Sequence, residues 1–181
     1  MTGLSKIARF AFAGLMLFGS LAMNAQERAL NSLKVSFRIK NAGIGVDGSF
    51  AKASGYADLQ QGNPAASRFR GEVEAASIET GIGLRNQHLR RAEYFDVARF
   101  PLLRMQSVEV QMVQGKYQVT WDITMKGQTR RLKSDVDVIR QGDAFLLKTE
   151  MTINRRDWKI GGSSLTMADQ VKVTVQGVWK P

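Results

Sequence analysis

The chain predicts an all-β fold, an antiparallel barrel or a two-sheet sandwich of about eight strands with one short helical interruption. Three observations carry that expectation. Apolar and polar side chains alternate at period two along five segments, turn-forming residues fall between them, and a single stretch has helical spacing. Strands with one apolar face each must turn those faces toward a common interior, which both architectures achieve.

The first element lies outside that domain. Lys6 and Arg9 precede an apolar run from Phe10 to Ala22, and Met23-Asn24-Ala25 lead into Gln26. The run is well short of the ~20 residues that span a bilayer. Residues 1–25 therefore read as a secretory leader cleaved after Ala25, and 26–181 as one domain.

The strands follow in order. Val35, Phe37 and Ile39 alternate with Lys34, Ser36, Arg38 and Lys40, and Phe69, Gly71, Val73 and Ala75 alternate with Arg68, Arg70, Glu72 and Glu74. Tyr117, Val119, Trp121, Ile123 and Met125 form the cleanest row. Phe145, Leu147, Met151 and Ile153 make another, and Val171, Val173, Val175 and Trp179 close the chain. Ser49 to Leu59, Leu102 to Met112 and Arg131 to Ile139 are weaker strand candidates. Turns are expected at Gly43 to Gly48, Gly62-Asn63-Pro64, Gln114-Gly115, Lys126-Gly127, Gln141-Gly142-Asp143 and Gly161-Gly162.

The interruption is a helical piece from about Leu84 to Arg91, followed by an aromatic segment, so that a short helical insertion occupies residues 84–97. Pro101 then favours extended backbone and starts the next strand. So short a helix is unstable alone. It is expected to dock on the sheet, across one mouth of a barrel, through Leu84, Leu89, Tyr94, Phe95 and Phe100.

Composition narrows the chemistry. The chain has 26 Lys and Arg against 16 Asp and Glu, and loss of Lys6 and Arg9 with the leader leaves +8. A basic surface suits anionic head groups, membrane surfaces or nucleic acid. Export argues against nucleic acid, and neither an RNA-binding aromatic signature nor a helix-turn-helix pattern is present. Cysteine is absent, which removes disulfides, thiolate metal sites and thiol catalysis.

His88 is the one histidine. A triad would have to be assembled from Ser77, His88 and Asp96 without a supporting motif, and a lone imidazole among carboxylates lacks metal-ligand spacing. A non-enzyme without a metal site is expected. Two roles remain open for His88, hydrogen bonding to a ligand head group or a pin held by Asp96 or a backbone carbonyl. Arg85, Arg90, Arg91, Arg99 and Arg104 gather near it, suited to phosphate or to pairing with surface acids. Trp121, Met125, Met105, Met151, Phe37, Phe50, Phe145 and Trp158 either line a cavity or fill an ordinary core.

Several ordered motifs carry a resemblance. They are Phe37 to Ile44 with Val46, Gly48 and Phe50; Ser77-Ile78-Glu79-Thr80-Gly81; Leu84 to Arg91; Glu93-Tyr94-Phe95-Asp96; Phe100-Pro101; Asp122 to Arg130; Thr152 to Gly161; and the strand from Val171 to Val175. Together they resemble the YceI-like family of exported lipid-binding proteins across nearly the whole of residues 26–181.

The resemblance implies an extended lipocalin-like antiparallel β-barrel in the periplasm. It would hold a long apolar lipid, such as a polyisoprenoid, an isoprenoid quinone or a related amphiphile, for carriage, storage or stress-related lipid metabolism. No catalytic cofactor is implied, only the bound lipid. The barrel lining would comprise Phe37, Ile39, Phe50, Leu84, Leu89, Phe95, Phe100, Met105, Trp121, Ile123, Met125, Phe145, Met151 and Trp158. Asn41, Arg85, Asn86, His88, Arg91 and Asp96 would stand at the mouth near the head group. Asn41 replaces a histidine and Asn86 an aspartate found in many members, so head-group contacts are expected to differ. The competing expectation is a filled β-barrel whose basic face meets anionic partners or a membrane surface. Transient membrane contact and pairing of two copies are the further partner options.

Overall fold

The computed structural model describes residues 28–180, so the expected leader lies outside the described residues. Eleven strands form one antiparallel sheet: β1 (Arg28–Ala29), β2 (Ser32–Asn41), β3 (Ile44–Phe50), β4 (Ala53–Asp58), β5 (Arg68–Glu74), β6 (Ile78–Glu79), β7 (Leu102–Val113), β8 (Lys116–Met125), β9 (Gln128–Gln141), β10 (Ala144–Asn154) and β11 (Met167–Trp179). One helix, α1 (Gly83–Leu89), precedes the turns that lead into β7.

Alternation explains the strands. Along β8 every second side chain from Tyr117 to Met125 is buried, the pattern of a strand with one face on a core. Hairpin chemistry sets the connections. Ala42-Gly43, Gln114-Gly115 and Lys126-Gly127 all have positive φ at both positions, the backbone that lets two-residue turns match the twist of the strands they join.

The sheet order is β1-β4-β5-β7-β8-β9-β10-β11-β2-β3-β6. It curls so that β2 packs against β4, giving an extended antiparallel barrel. The residues after β1 stitch that seam, because the Leu30 N–H donates to the Gly55 carbonyl and the Asn31 N–H to the Val178 carbonyl, both at 2.8 Å.

The expected strand count of about eight is corrected to eleven among the described residues. Two of the additions, β1 and β6, have only two residues each. The third arises because Ser49 to Leu59 is not one strand, and 43–48 is not one turn. The chain re-enters the sheet at Ile44, leaves at Phe50 and resumes at Ala53. The corner between them is fixed by Ser77, whose carbonyl accepts from the Ala51 N–H at 3.0 Å and whose hydroxyl accepts from the Lys52 N–H at 3.1 Å. Glycine hid this strand. Gly48 faces Phe37 in register, and the Phe37 ring lies where a Gly48 side chain would stand, 2.3 Å from its Cβ position.

Candidate functional site

The inward faces of the strands line an apolar cavity of about 170 Å³ that is partly open to solvent. It is built element by element. Phe37 and Ile39 come from β2, Phe50 from β3, Met105 from β7, Ile123 and Met125 from β8, and Met151 from β10. Leu89, Tyr94 and Phe95 enter from α1 and the turn behind it, so that segment caps the cavity.

The cap is fastened from several sides. Phe50 and Phe95 meet ring to ring. Lys126 Nζ donates to the Ala92 carbonyl at 2.7 Å and the Lys159 carbonyl at 3.0 Å, and the Gly161 N–H donates to the Glu93 carbonyl at 2.8 Å. Within the cap, the Phe95 N–H returns to the Leu89 carbonyl and the Asp96 N–H to the Arg91 carbonyl. Helical geometry therefore ends at Leu89 rather than Arg91, and 90–100 turns back on itself.

Five residues expected in the lining lie outside this cavity. Leu84 is 79% exposed, because at ~3.6 residues per turn it sits about 140° from Leu89, which takes the inward side. The Phe100 ring covers Gly127 outside the cavity. Phe145 packs on Trp179 at 5.6 Å, at the opposite end of β10 from the cap. Trp158 is fully buried and donates its indole N–H to the Ile123 carbonyl at 3.1 Å, pinning a single 3-10 turn beneath β8. Trp121 lines a second, smaller cavity together with Met105.

The six residues expected at the mouth do not line the cavity; most belong to the cap's own hydrogen-bond network. Asn86 is buried. Its Oδ1 accepts from the Thr80 N–H at 3.0 Å and the Thr80 hydroxyl at 2.7 Å, and its Nδ2 donates to Glu79 Oε1 at 2.8 Å. These donations hold the Glu79 carboxyl below its ordinary value, the Asn86 amide contributing most and the Gly81 N–H next. Arg85 donates to the Thr80 hydroxyl at 2.8 Å and to the Thr80 carbonyl. Asp96 is buried and pairs with Arg99 at 3.5 Å. His88 is exposed, with its ring edge-on to Tyr94 at 4.9 Å rather than held by Asp96. Arg91 is exposed beside it, and Asn41 stands exposed at the end of β2 opposite Ile44.

Ser77, the third group considered with His88 and Asp96, donates to the Glu74 carbonyl at 2.7 Å in the β3–β4 corner. The three do not assemble. Among the described residues, no three His, Cys, Asp or Glu side chains gather in metal-binding geometry.

Arg155 was not expected here. It borders the cavity at 3% exposure, yet its guanidinium is engaged on all sides. Nη1 donates to the Ile160, Gly161 and Gly162 carbonyls at 2.8–2.9 Å, Nε to Ala168 at 3.0 Å, and Nη2 to Asp169 Oδ1 at 2.8 Å. A buried charge so completely matched holds the 160–169 loop and leaves no donor for a guest. Leu33 was missed as well, although it continues the period-two row of Val35, Phe37 and Ile39.

A family model described as the YceI-like domain matches residues 29–179. A UPF0312 protein of Pectobacterium carotovorum is 29% identical over 153 residues, 80% of each chain. The protein YceI of Escherichia coli O157:H7 is 28% identical over 136 residues, 73% of this chain and 71% of its own. BcnA of Burkholderia cenocepacia superposes with a TM-score of 0.78 at 23% identity, covering 82% of this chain and 96% of that one. A polyisoprenoid binding domain from Saccharophagus degradans, implicated in plant cell wall breakdown, does so with a TM-score of 0.67 at 15% identity, covering 84% and 98%. At these identities the two structures establish the shared fold.

Proposed function

The chain belongs to the YceI-like family, and from that premise we propose that it is an exported binding protein, not an enzyme, that holds one long apolar lipid inside its barrel. The observation that carries this reading is the apolar interior, a cavity of about 170 Å³ walled by Phe, Met, Ile, Leu and Val side chains from both sides of the barrel and continued by a second, smaller cavity. The fold shared with a polyisoprenoid binding domain supports a polyisoprenoid, an isoprenoid quinone or a similar amphiphile as the guest.

Energetics favour the tail over the head. Each buried CH₂ contributes ~0.8 kcal/mol, so each isoprene unit that is buried contributes about 4 kcal/mol before any polar contact forms. The lining supplies almost no polar group, because Arg155 is already engaged by carbonyls and Asp169.

The basic leader followed by an apolar run supports export to the periplasm, with cleavage after Ala25 and residues 26–181 as the binding domain. Carriage or storage of the lipid follows from that setting. Leu165 is fully exposed beside the β2–β3 turn, where the Ala42 N–H donates to the Thr166 carbonyl, and Ile44, the first residue of β3, is exposed next to that turn. These apolar tips support brief membrane contact during loading. The alternative of a filled barrel with a basic interaction face rests on charge alone.

Denaturing extraction and mass spectrometry of the purified protein test the proposal. A released prenyl chain is expected. A clean protein mass, with no uptake of added quinone or polyprenol, overturns it.

A further inference from the structure

The cavity under the cap is not the whole interior. A second cavity of about 60 Å³ lies beyond it, lined by Leu30, Ala57, Phe69, Trp121, Val136 and Leu147 among others. The two share Leu33, Gly71, Met105 and Val175. They are consecutive chambers, and those residues are the partition.

Backbone glycines make room for this partition. Gly55 and Gly71 face each other in register on β4 and β5, leaving a bare patch on the barrel wall. Leu33 crosses from β2 onto that patch, its Cδ2 only 3.3 Å from the Cβ position of Gly55 and 3.1 Å from that of Gly71. Met105, in register beside Gly71, closes the other side. Leu30 fills the neighbouring space, 2.9 Å from the Cβ position of Gly55 and 2.8 Å from that of Gly177.

Size makes the partition consequential. An engineered apolar cavity of about 150 Å³ takes one benzene, so the 170 Å³ chamber under the cap holds a short apolar group, not a long chain. A longer guest gains further burial inside the barrel only by entering the second chamber. The barrier to it consists of two side-chain ends, a thioether with three rotatable bonds and an isobutyl group, which move without disturbing a strand. The far wall is rigid by contrast. Trp121 Nε1 donates to Ser134 Oγ at 2.8 Å, Ser134 and Thr149 hydroxyls meet at 2.7 Å, and Thr149 donates to the Asp135 carbonyl at 2.8 Å.

Building on the proposed lipid binding, we infer that Leu33 and Met105 form a side-chain gate that sets the length of apolar chain the barrel accepts. Short chains occupy the chamber under the cap. Long chains displace Leu33 and Met105 and end against Trp121.

The test is displacement of a fluorescent prenyl probe from the delipidated protein by geraniol, farnesol, geranylgeraniol and solanesol. Leu33→Phe, which thickens the partition, is expected to weaken geranylgeraniol and solanesol about tenfold or more relative to geraniol. Leu33→Ala and Met105→Ala, which only remove atoms, are expected to strengthen the longest chains relative to geraniol. These two variants decide the matter if Leu33→Phe does not fold by near-ultraviolet circular dichroism. A length profile that all folded variants share with the wild type overturns the gate and leaves lipid binding intact. Failure of the wild type to bind any prenol overturns lipid binding and the gate with it.

Discussion

The ring of Phe95 stands edge-on to that of Phe50, with centroids 5.9 Å apart and planes at 88°. The contact clasps the cap to β3 directly over the cavity that both residues line. Phe95→Ala is expected to cost about 2 kcal/mol, roughly half of a fully buried Phe→Ala, because Phe95 is half-buried. Urea unfolding measures the loss. If the clasp also retains the guest, dissociation of a bound prenol quickens in the same variant.

Asn86 and Glu79 make the cap sensitive to pH. The Glu79 carboxyl is held below the ordinary 4.5, chiefly by the Asn86 amide. Because its folded value is depressed, the stabilisation is fully present above the unfolded value and fades as pH falls through the lowered folded value. In Asn86→Asp a second carboxylate replaces the donor, so the dependence inverts and acidification through the carboxylate range stabilises the variant. Urea midpoints over that range distinguish the two signs.

Arg155 lies buried among carbonyls with Asp169 as its ionic partner at 2.8 Å. Arg155→Ala removes the guanidinium donors to the Ile160, Gly161, Gly162 and Ala168 carbonyls and to Asp169, an expected cost of about 3–5 kcal/mol. Asp169→Asn keeps the carbonyl contacts and is expected to cost less. Thermal unfolding of both variants checks the order.

Gly48 carries the Phe37 ring on its bare face. Gly48→Ala forces that ring into the cavity at an expected cost of about 1–3 kcal/mol. Prenol affinity falls with it, as measured by displacement of a fluorescent probe.

His88 gives the contrasting case. It is exposed, and its ring contact is with Tyr94, so His88→Ala is expected to change stability by about 0.5 kcal/mol or less and to leave prenol affinity unchanged. Calorimetry and the same displacement assay check both.

How much of this was legible varied with where the determining partner lies. The row from Tyr117 to Met125 announced β8, because its own alternation matches its burial. The start of β3 was hidden, since the side chain covering Gly48 belongs to Phe37 on another strand. Arg155 carried no signal of its place at the cavity, because its partners are mostly backbone carbonyls, which no residue type reveals. The aromatic cap was foreseen from Leu89, Tyr94 and Phe95, while Leu84 was misplaced because a helix of seven residues shows too few turns to define its inward side.

The pairing of β2 with β11 has a consequence for how the chain reaches its fold. β7 to β11 form a run of neighbouring hairpins that closes with short-range contacts. The Val35 and Val175 partnership joins opposite ends of the domain, and such distant pairings are slow to form. A chain delivered N-terminus first from a ribosome exposes β2 long before its mate exists. Barrel closure must wait until β11 has arrived, so the strands before it stay open along the β2 edge until then.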